Sequence, residues 1–242
     1  MHLREPTSSR TAVYASSFFS GSKQVYKDQL RVVGEHDPVK STAKIGTSNI
    51  NYSWLRGAAE TYQISPDIKD YVITEVPALT VDIPNRNLHA FPYNELTYFE
   101  PEMGNFVYKS FIGKCAFADH DNKDFTQAKG TIFDASLRKV PGWNIWKVYC
   151  LVGYDRTKDA ALARAIEKGE RRSYSMGAWC KYFISSLTGQ LENGEQALKY
   201  PKGSVINGRL SYSLLSGVNF FELSSVNGPA DVTAESHQLW YF

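Results

Sequence analysis

Most of the chain lacks helical periodicity, and this limits the folds that it can adopt. Only residues 157–168 repeat apolar side chains at helical spacing, with Leu162 and Ile166 on one face, Asp155 as a cap and Gly169 as a stop signal. Elsewhere, short apolar runs alternate with turn residues. Aromatic residues, which favour strands, make up 14% of the chain. The sequence therefore predicts a strand-rich α+β domain with few helices.

Six segments carry strand patterns, and the turn signals between them set their limits. Pro77 interrupts the first segment, which indicates an edge position or a break because proline has no amide hydrogen to donate. A Pro-Gly turn at residues 141–142 separates the third segment from the fourth. The predicted strands are residues 71–81, 105–118, 131–140, 146–152, 173–183 and 213–226.

The two ends of the chain differ in composition from its middle. Residues 1–70 are rich in Ser, Thr, Lys and Gly, which predicts a loosely structured N-terminal extension or pro-segment. One or two extra strands packed on the domain are the alternative. The main domain is predicted to span residues 71–231, with a surface insertion at about 189–208 and a C-terminal tail at 232–242.

Charge and motif content exclude several classes of function. Lys and Arg total 27 and Asp and Glu total 25, so a net charge of +2 gives no reason to expect nucleic acid or an anionic membrane as a partner. No apolar run is long enough for a membrane span, and no secretory signal is recognised. The three cysteines fit reduced thiols. Phosphate-binding glycine loops, zinc-protease and hydrolase-elbow motifs are absent.

Three residues have the chemistry of a nucleophilic hydrolase. His120 ends a predicted strand, Ser175 lies within another, and Glu222 is a carboxylate in an otherwise apolar strand. A buried carboxylate must be hydrogen-bonded or paired. An imidazole can remove the serine proton while the carboxylate fixes the imidazole tautomer. The set therefore predicts acyl transfer if the strands bring the three side chains together.

Each of these residues also has a structural interpretation. His120 could cap a turn, Ser175 could bond to backbone within a sheet, and Glu222 could pair with Arg138 or Arg172. Oxygen and imidazole ligands could instead hold a metal ion, through Asp119, His120, Asp121 and Asp124.

The remaining histidines are weaker candidates for a base. His89 lies between apolar neighbours, Leu88 and Phe91, and is expected to be packed. The others lie near the termini: His2, His36 and His237.

Four segments in a fixed order carry a resemblance to a known family. They are PNRNLHAFP at residues 84–92, ADHDN at 118–122, ERRSYSMG at 170–177 and ELSSVNGPAD at 222–231. The chain in this region resembles the prohead core (capsid maturation) serine proteases of large tailed bacteriophages, whose fold is similar to that of herpesvirus assemblins. The resemblance implies a mostly antiparallel, barrel-like core with a few flanking helices.

The same resemblance implies a serine endopeptidase with Ser175 as nucleophile, His120 as general base and Glu222 orienting the histidine. Such enzymes act inside the prohead in the host bacterial cytoplasm, cut scaffold, core and major capsid proteins after glutamate, and process themselves. No cofactor is implied, and self-association into a dimer or larger oligomer is left open. Some relatives carry paired cysteines in a metal knuckle, but here only Cys180 remains, so no zinc is expected.

Cleavage after glutamate adds further expectations. The triplets that fit self-cleavage are Val33-Gly34-Glu35, Ala58-Ala59-Glu60 and Thr233-Ala234-Glu235, where trimming is expected to leave the core intact. A glutamate-selecting pocket needs cationic or hydrogen-bond-donating groups, and the candidates are Arg86, Arg138, Arg171 and Arg172.

Besides the missing cysteines, the histidine turn departs from the family pattern. Two aspartates flank His120 and should favour the charged imidazolium, which hinders a base unless they point to water. A non-catalytic head or core protein with a protease-like fold is therefore the alternative function, and a metal-dependent hydrolase is a third.

Overall fold

A computed structural model describes residues 54–192, 199–234 and 238–240. Expectations for residues 1–53, including His2, His36 and the first triplet, lie outside the described residues, as does His237. The main domain predicted at residues 71–231 divides into two compact units. Of the described residues, one unit holds 81–107, 179–192 and 199–219, and the other holds 54–80, 108–178, 220–234 and 238–240.

Strands dominate the part of the chain that is described. The helices are α1 (Leu55–Tyr62), α2 (Tyr93–Leu96) and α3 (Ala160–Glu167), with 3₁₀ turns at Ile68–Asp70, Val107–Phe111 and Phe125–Gln127. The strands are β1 (Tyr71–Thr80), β2 (His89–Ala90), β3 (Phe99–Glu100), β4 (Asn105–Phe106), β5 (Cys115–Ala118), β6 (Gly130–Lys139), β7 (Trp146–Asp155), β8 (Ser173–Trp179), β9 (Tyr182–Ser185), β10 (Leu191–Glu192), β11 (Val205–Ile206), β12 (Arg209–Leu210), β13 (Ser213–Ser216), β14 (Asn219–Val226) and β15 (Gln238–Trp240).

The larger unit is built on a seven-stranded sheet with the order β15-β1-β7-β6-β5-β14-β8. Its pairs β15–β1, β1–β7, β7–β6 and β6–β5 are antiparallel, whereas β5 and β14 run parallel. The oxygen of Ala234 accepts a hydrogen bond from the amide of Tyr174 in β8, and Gln238 pairs with Glu75 in β1. Ala234 and Gln238 are four residues apart in sequence, so at most about 14 Å separates them. The strands that they contact, β8 and β1, lie near opposite edges of the sheet. The sheet must therefore curl into a half-barrel. The strand-rich α+β prediction is confirmed at this level.

The smaller unit contains a four-stranded sheet with the order β10-β9-β13-β2 and two short ladders, β3–β4 and β11–β12. Ala90, Ile184 and Leu214 form its buried cluster. Glu95 is fully buried there and accepts hydrogen bonds from the Ser216 hydroxyl at 3.2 Å and the Val218 amide at 3.0 Å. These bonds satisfy a carboxylate that would otherwise be costly to bury.

The strands predicted at residues 131–140 and 146–152 are confirmed as β6 and β7, joined by a turn in which Gly142 has φ 77°. Pro77 coincides with a register irregularity between Pro77 and Leu79, as its missing amide hydrogen suggests.

Helix α3 is shorter than predicted. Its cap is Asp159, whose carboxylate accepts from the Leu162 amide.

Three predicted strands are wrong in extent. A 3₁₀ turn at Val107–Phe111 interrupts residues 105–118, because Val107, Tyr108 and Phe111 turn into the interior. Residues 173–183 form β8 and β9, and residues 213–226 form β13 and β14, in each case in two different sheets. The second break lies at Gly217, whose φ of 66° ends an extended strand.

The expectation for residues 1–70 is wrong for the part that is described. Leu55 and Ala59 of α1, together with Ile64, are buried in a cluster with Phe133 and Leu151. The spacing of Leu55 and Ala59 puts both on one helical face, but the segment is too short and polar to stand out in the sequence. The tail predicted at 232–242 also contains structure, because Ala234 is buried and β15 pairs with β1. None of the described helices is long and apolar enough to cross a membrane.

Candidate active site

His120 lies in a tight turn after β5. Asp119 and His120 both adopt left-handed backbone conformations, with φ of 51° and 57°. Such conformations are unfavourable for residues other than glycine, although Asp and His tolerate them better than most. Hydrogen bonds offset the cost: the Asp119 amide donates to the Ser225 oxygen at 2.9 Å, and the Asp121 amide donates to the Ala118 oxygen at 3.0 Å. The turn is therefore attached to the end of β14.

His120 and Glu222 form a hydrogen-bonded pair. Nδ1 of His120 lies 2.9 Å from Oε1 of Glu222, whose side chain is 0% exposed while that of His120 is 40% exposed. Ser224 is two residues further along β14, on the same face, and its hydroxyl donates to Oε2 of Glu222 at 2.6 Å. Both carboxylate oxygens are thus held, and Nε2 is the imidazole nitrogen left for chemistry.

The environment of the imidazole raises its pKa. The hydrogen bond that Glu222 accepts from His120 is the largest cause, burial opposes it, and the charges of Glu222 and then Asp119 add smaller increases to the pKa of His120. The sequence predicted that both flanking aspartates would act in this way. Asp121 is instead exposed and is not among the causes, so Glu222 rather than the Asp-His-Asp pattern dominates.

Ser175 lies on β8, the strand next to β14. A Cβ atom added at Gly177 would come within 2.6 Å of Glu222 Oε1 and 2.5 Å of Phe221 Cζ. Side chains two residues apart in a strand share a face, so Ser175 lies on the face that Gly177 turns toward Glu222. Within the described residues, the Ser175 hydroxyl makes no hydrogen bond, to His120 or to backbone. The structure thus brings His120 and Glu222 into contact, with Ser175 one strand away.

Arg171 supports the histidine turn from the segment between α3 and β8. Its Nη2 donates to Asp119 Oδ1 at 2.9 Å and to the Ser225 oxygen at 2.8 Å, and its Nε donates to the Ser225 hydroxyl at 3.1 Å. From the sequence, Arg171 was a candidate only as a cation for a substrate pocket. Local sequence cannot reveal this role, since the partners are 52 and 54 residues away.

The alternative partners of these residues have other contacts. Arg138 binds Glu75, with Nη2 to Oε1 at 2.6 Å, and its guanidinium stacks over Tyr149. Arg172 is exposed and makes no ion pair with Glu222, so the predicted structural pairing of Glu222 does not occur.

The metal interpretation of the His120 turn also finds no support in its contacts. Asp119 binds Arg171, and Asp124 accepts from the Thr126 amide. No cluster of three or more His, Cys, Asp or Glu side chains suited to a metal occurs among residues 54–192, 199–234 and 238–240.

His89 belongs to the smaller unit and has a different environment. Its Nε2 lies 3.1 Å from Nζ of Lys202, and its ring is 5.8 Å from that of Phe183. Burial, with a smaller effect from Lys202, lowers the pKa of His89 to about 4. The packed role expected for His89 agrees with these contacts.

Comparisons with known proteins do not assign the chain to a family. No family model, no curated protein and no solved structure matches it.

We predict that Gly177→Ala will disrupt the pair without removing any polar group. The new methyl group would overlap Oε1 of Glu222, which is buried, and the ring of Phe221. Overpacking of this kind costs about 1–3 kcal/mol. Displacing Oε1 should lower the pKa of His120, which NMR titration measures. Gly57→Ala is the control, since a Cβ there meets nothing within 4 Å. An unchanged His120 titration in Gly177→Ala would contradict the prediction.

Proposed function

We propose that the chain is a serine endopeptidase in which Ser175 is the nucleophile, His120 the general base and Glu222 the group that orients the imidazole. The observation that carries the proposal is the 2.9 Å contact between His120 Nδ1 and a fully buried Glu222. A buried carboxylate on Nδ1 fixes the tautomer with a free Nε2, which is the form that a serine needs from its base. Ser175 on the adjacent strand supplies a hydroxyl on the matching face.

The reaction would proceed through an acyl-enzyme. Ser175 Oγ attacks the carbonyl carbon of the scissile peptide bond while its proton moves to Nε2 of His120. Glu222 stabilises the imidazolium, which then protonates the leaving amine as the C–N bond breaks. Water next attacks the ester, His120 takes its proton, and return of that proton to Ser175 frees the acid product.

This mechanism requires Ser175 Oγ to come within hydrogen-bond distance of Nε2. Hydrogen bonds in catalytic sites are often long or misaligned without substrate and tighten when it binds. The Ser175 hydroxyl has no competing hydrogen bond among the residues described here, so nothing there holds it away from the imidazole.

The substrates proposed from the resemblance are phage scaffold, core and major capsid proteins, cut after glutamate inside the prohead in the host cytoplasm.

Two of the self-cleavage triplets can be compared with their surroundings. Ala58-Ala59-Glu60 lies within α1 with Ala59 in the core, so cutting it would require local unfolding and would not leave the core intact. Of the pocket cations, Arg138 and Arg171 already bind carboxylates.

Thr233-Ala234-Glu235 is the better candidate for self-processing. The Ala234 oxygen accepts a hydrogen bond of 2.9 Å from the amide of Tyr174, the residue before Ser175. This bond places the described part of the triplet next to the strand that carries Ser175. Ala234 is buried, and Glu235, after which the cut would fall, lies outside the described residues.

Covalent labelling with a fluorophosphonate tests the proposal. We expect one adduct, located on Ser175 by mass spectrometry, and the same adduct in a variant that lacks residues 1–53, in case these block the site. Labelling at another residue would refute the assignment. A lack of labelling in both forms would favour the second candidate, a non-catalytic head or core protein. The missing Ser175–His120 hydrogen bond is the observation that supports this alternative.

A further inference from the structure

Arg171 connects three parts of the larger unit at one point. Its backbone amide donates to the Ala165 oxygen of α3 at 3.2 Å, which fixes where the side chain begins. The guanidinium then bonds to both the oxygen and the hydroxyl of Ser225 at the end of β14, and to the carboxylate of Asp119. Its side chain is only 20% exposed, so these are not the contacts of a freely moving surface arginine.

The ion pair between Arg171 and Asp119 affects the charge beside His120. Asp119 directly precedes His120 and shares its left-handed turn, so an unpaired carboxylate there would favour the imidazolium. Of the charged groups around this turn, Glu222 from β14 bonds His120, and Arg171 from the segment before β8 bonds Asp119. Asp121, on the other side of His120, is exposed. Arg171 is a cation that offsets part of the charge of Asp119, the carboxylate that the mechanism does not use.

We propose that Arg171 is a positioning residue for the histidine turn, and that its ion pair with Asp119 keeps His120 available as a base. That His120 accepts the proton of Ser175 rests on the proposed function. The effect of Arg171 on the titration of His120 is independent of that function, because it follows from the contacts alone.

The test is an NMR titration of His120, assigned by comparison with His120→Asn, in wild type and three variants. Arg171→Gln should raise the pKa of His120 by about half a pH unit, since removing a partly exposed ion-pair partner has effects of this size. Asp119→Asn should lower it only slightly, because Arg171 already offsets part of the charge of the carboxylate. In the double variant the midpoint should return close to the wild-type value.

Two further variants separate this role from a general structural one. Arg172→Gln removes the neighbouring arginine, which is exposed and does not bind Asp119, and should leave the titration unchanged. Arg171→Lys keeps the charge but not the fork that bonds Ser225 and Asp119 together. In Arg171→Lys the pKa of His120 should lie close to its wild-type value. This variant also keeps the proposal testable if Arg171→Gln fails to fold. An unmoved midpoint in Arg171→Gln, or no return in the double variant, would overturn the proposal.

The pH dependence of fluorophosphonate labelling links the inference to catalysis. If Ser175 is activated by neutral His120, the labelling rate rises as His120 loses its proton, and the midpoint in Arg171→Gln should move upward with the NMR value. If wild type is never labelled, the proposed function fails, whereas the titrations still test Arg171.

Discussion

Replacing Ser175 by alanine should abolish fluorophosphonate labelling and peptide cleavage while leaving the fold intact. Loss of the nucleophile from a serine–histidine pair costs about 10⁶-fold in turnover, so the residual rate should fall below detection. The hydroxyl makes no hydrogen bond to another described residue and Ser175 is only partly buried, so we expect a loss of stability below the value of about 1 kcal/mol that is typical of point substitutions. Thermal unfolding should therefore show nearly the wild-type midpoint.

Ser173→Ala is the matched control for that experiment. Ser173 lies on the same strand, two residues before Ser175, and side chains at this spacing share a face. Its removal should leave labelling and cleavage near the wild-type rate. If Ser175→Ala still processes substrate, or if both variants lose activity equally, Ser175 is not the nucleophile.

The sequence revealed the candidate residues because each carried a local signal. His120 followed a strand, and Glu222 was a charge in an apolar run, which the burial rule marks as needing a partner. The local pattern did not identify that partner, which only the family resemblance implied. The contact joins residues 102 apart and depends on the parallel pairing of β5 with β14 and on a left-handed turn at Asp119 and His120. Neither follows from periodicity.

The fold was predictable where neighbouring segments pair with each other. The β6–β7 hairpin has matching strand patterns and a Pro-Gly turn between them. The continuous apolar run at residues 213–226 contains a change of sheet at Gly217. The pattern of apolar residues indicates which side chains are buried, but it does not indicate which strands pair with each other. Arg171 was similarly hidden, since its partners lie far along the chain.

The cost of burying Glu222 is informative about its role. An ionised carboxylate removed from water is unfavourable unless it is well hydrogen-bonded, and here His120 and Ser224 satisfy one oxygen each. A structural carboxylate could be replaced by an amide with modest effect, because an amide can also accept and donate hydrogen bonds. A carboxylate that orients a catalytic imidazole cannot.

Glu222→Gln is therefore expected to abolish the proposed activity while preserving the fold. The glutamine can donate an N–H to Nδ1 of His120, which would move the imidazole proton to Nε2, where it faces the nucleophile and blocks proton transfer. The corresponding change in a known serine protease lowers turnover by about 10⁴-fold. The labelling rate of Glu222→Gln relative to wild type measures the effect.

The same variant should change how stability depends on pH. The hydrogen bond to Glu222 is the largest cause of the raised pKa of His120. The interaction between the two side chains therefore adds its full contribution to the free energy of unfolding below about pH 6.5. This contribution is lost as the pH rises through the pKa of His120 in the folded state. Denaturant unfolding should thus find Glu222→Gln more destabilised, relative to wild type, at pH 5 than at pH 9. Glu75→Gln, which breaks an ion pair with Arg138 on β1 of the same sheet, is the control and should leave labelling unaffected. Wild-type labelling in Glu222→Gln would mean that the buried pair serves the fold and not the chemistry.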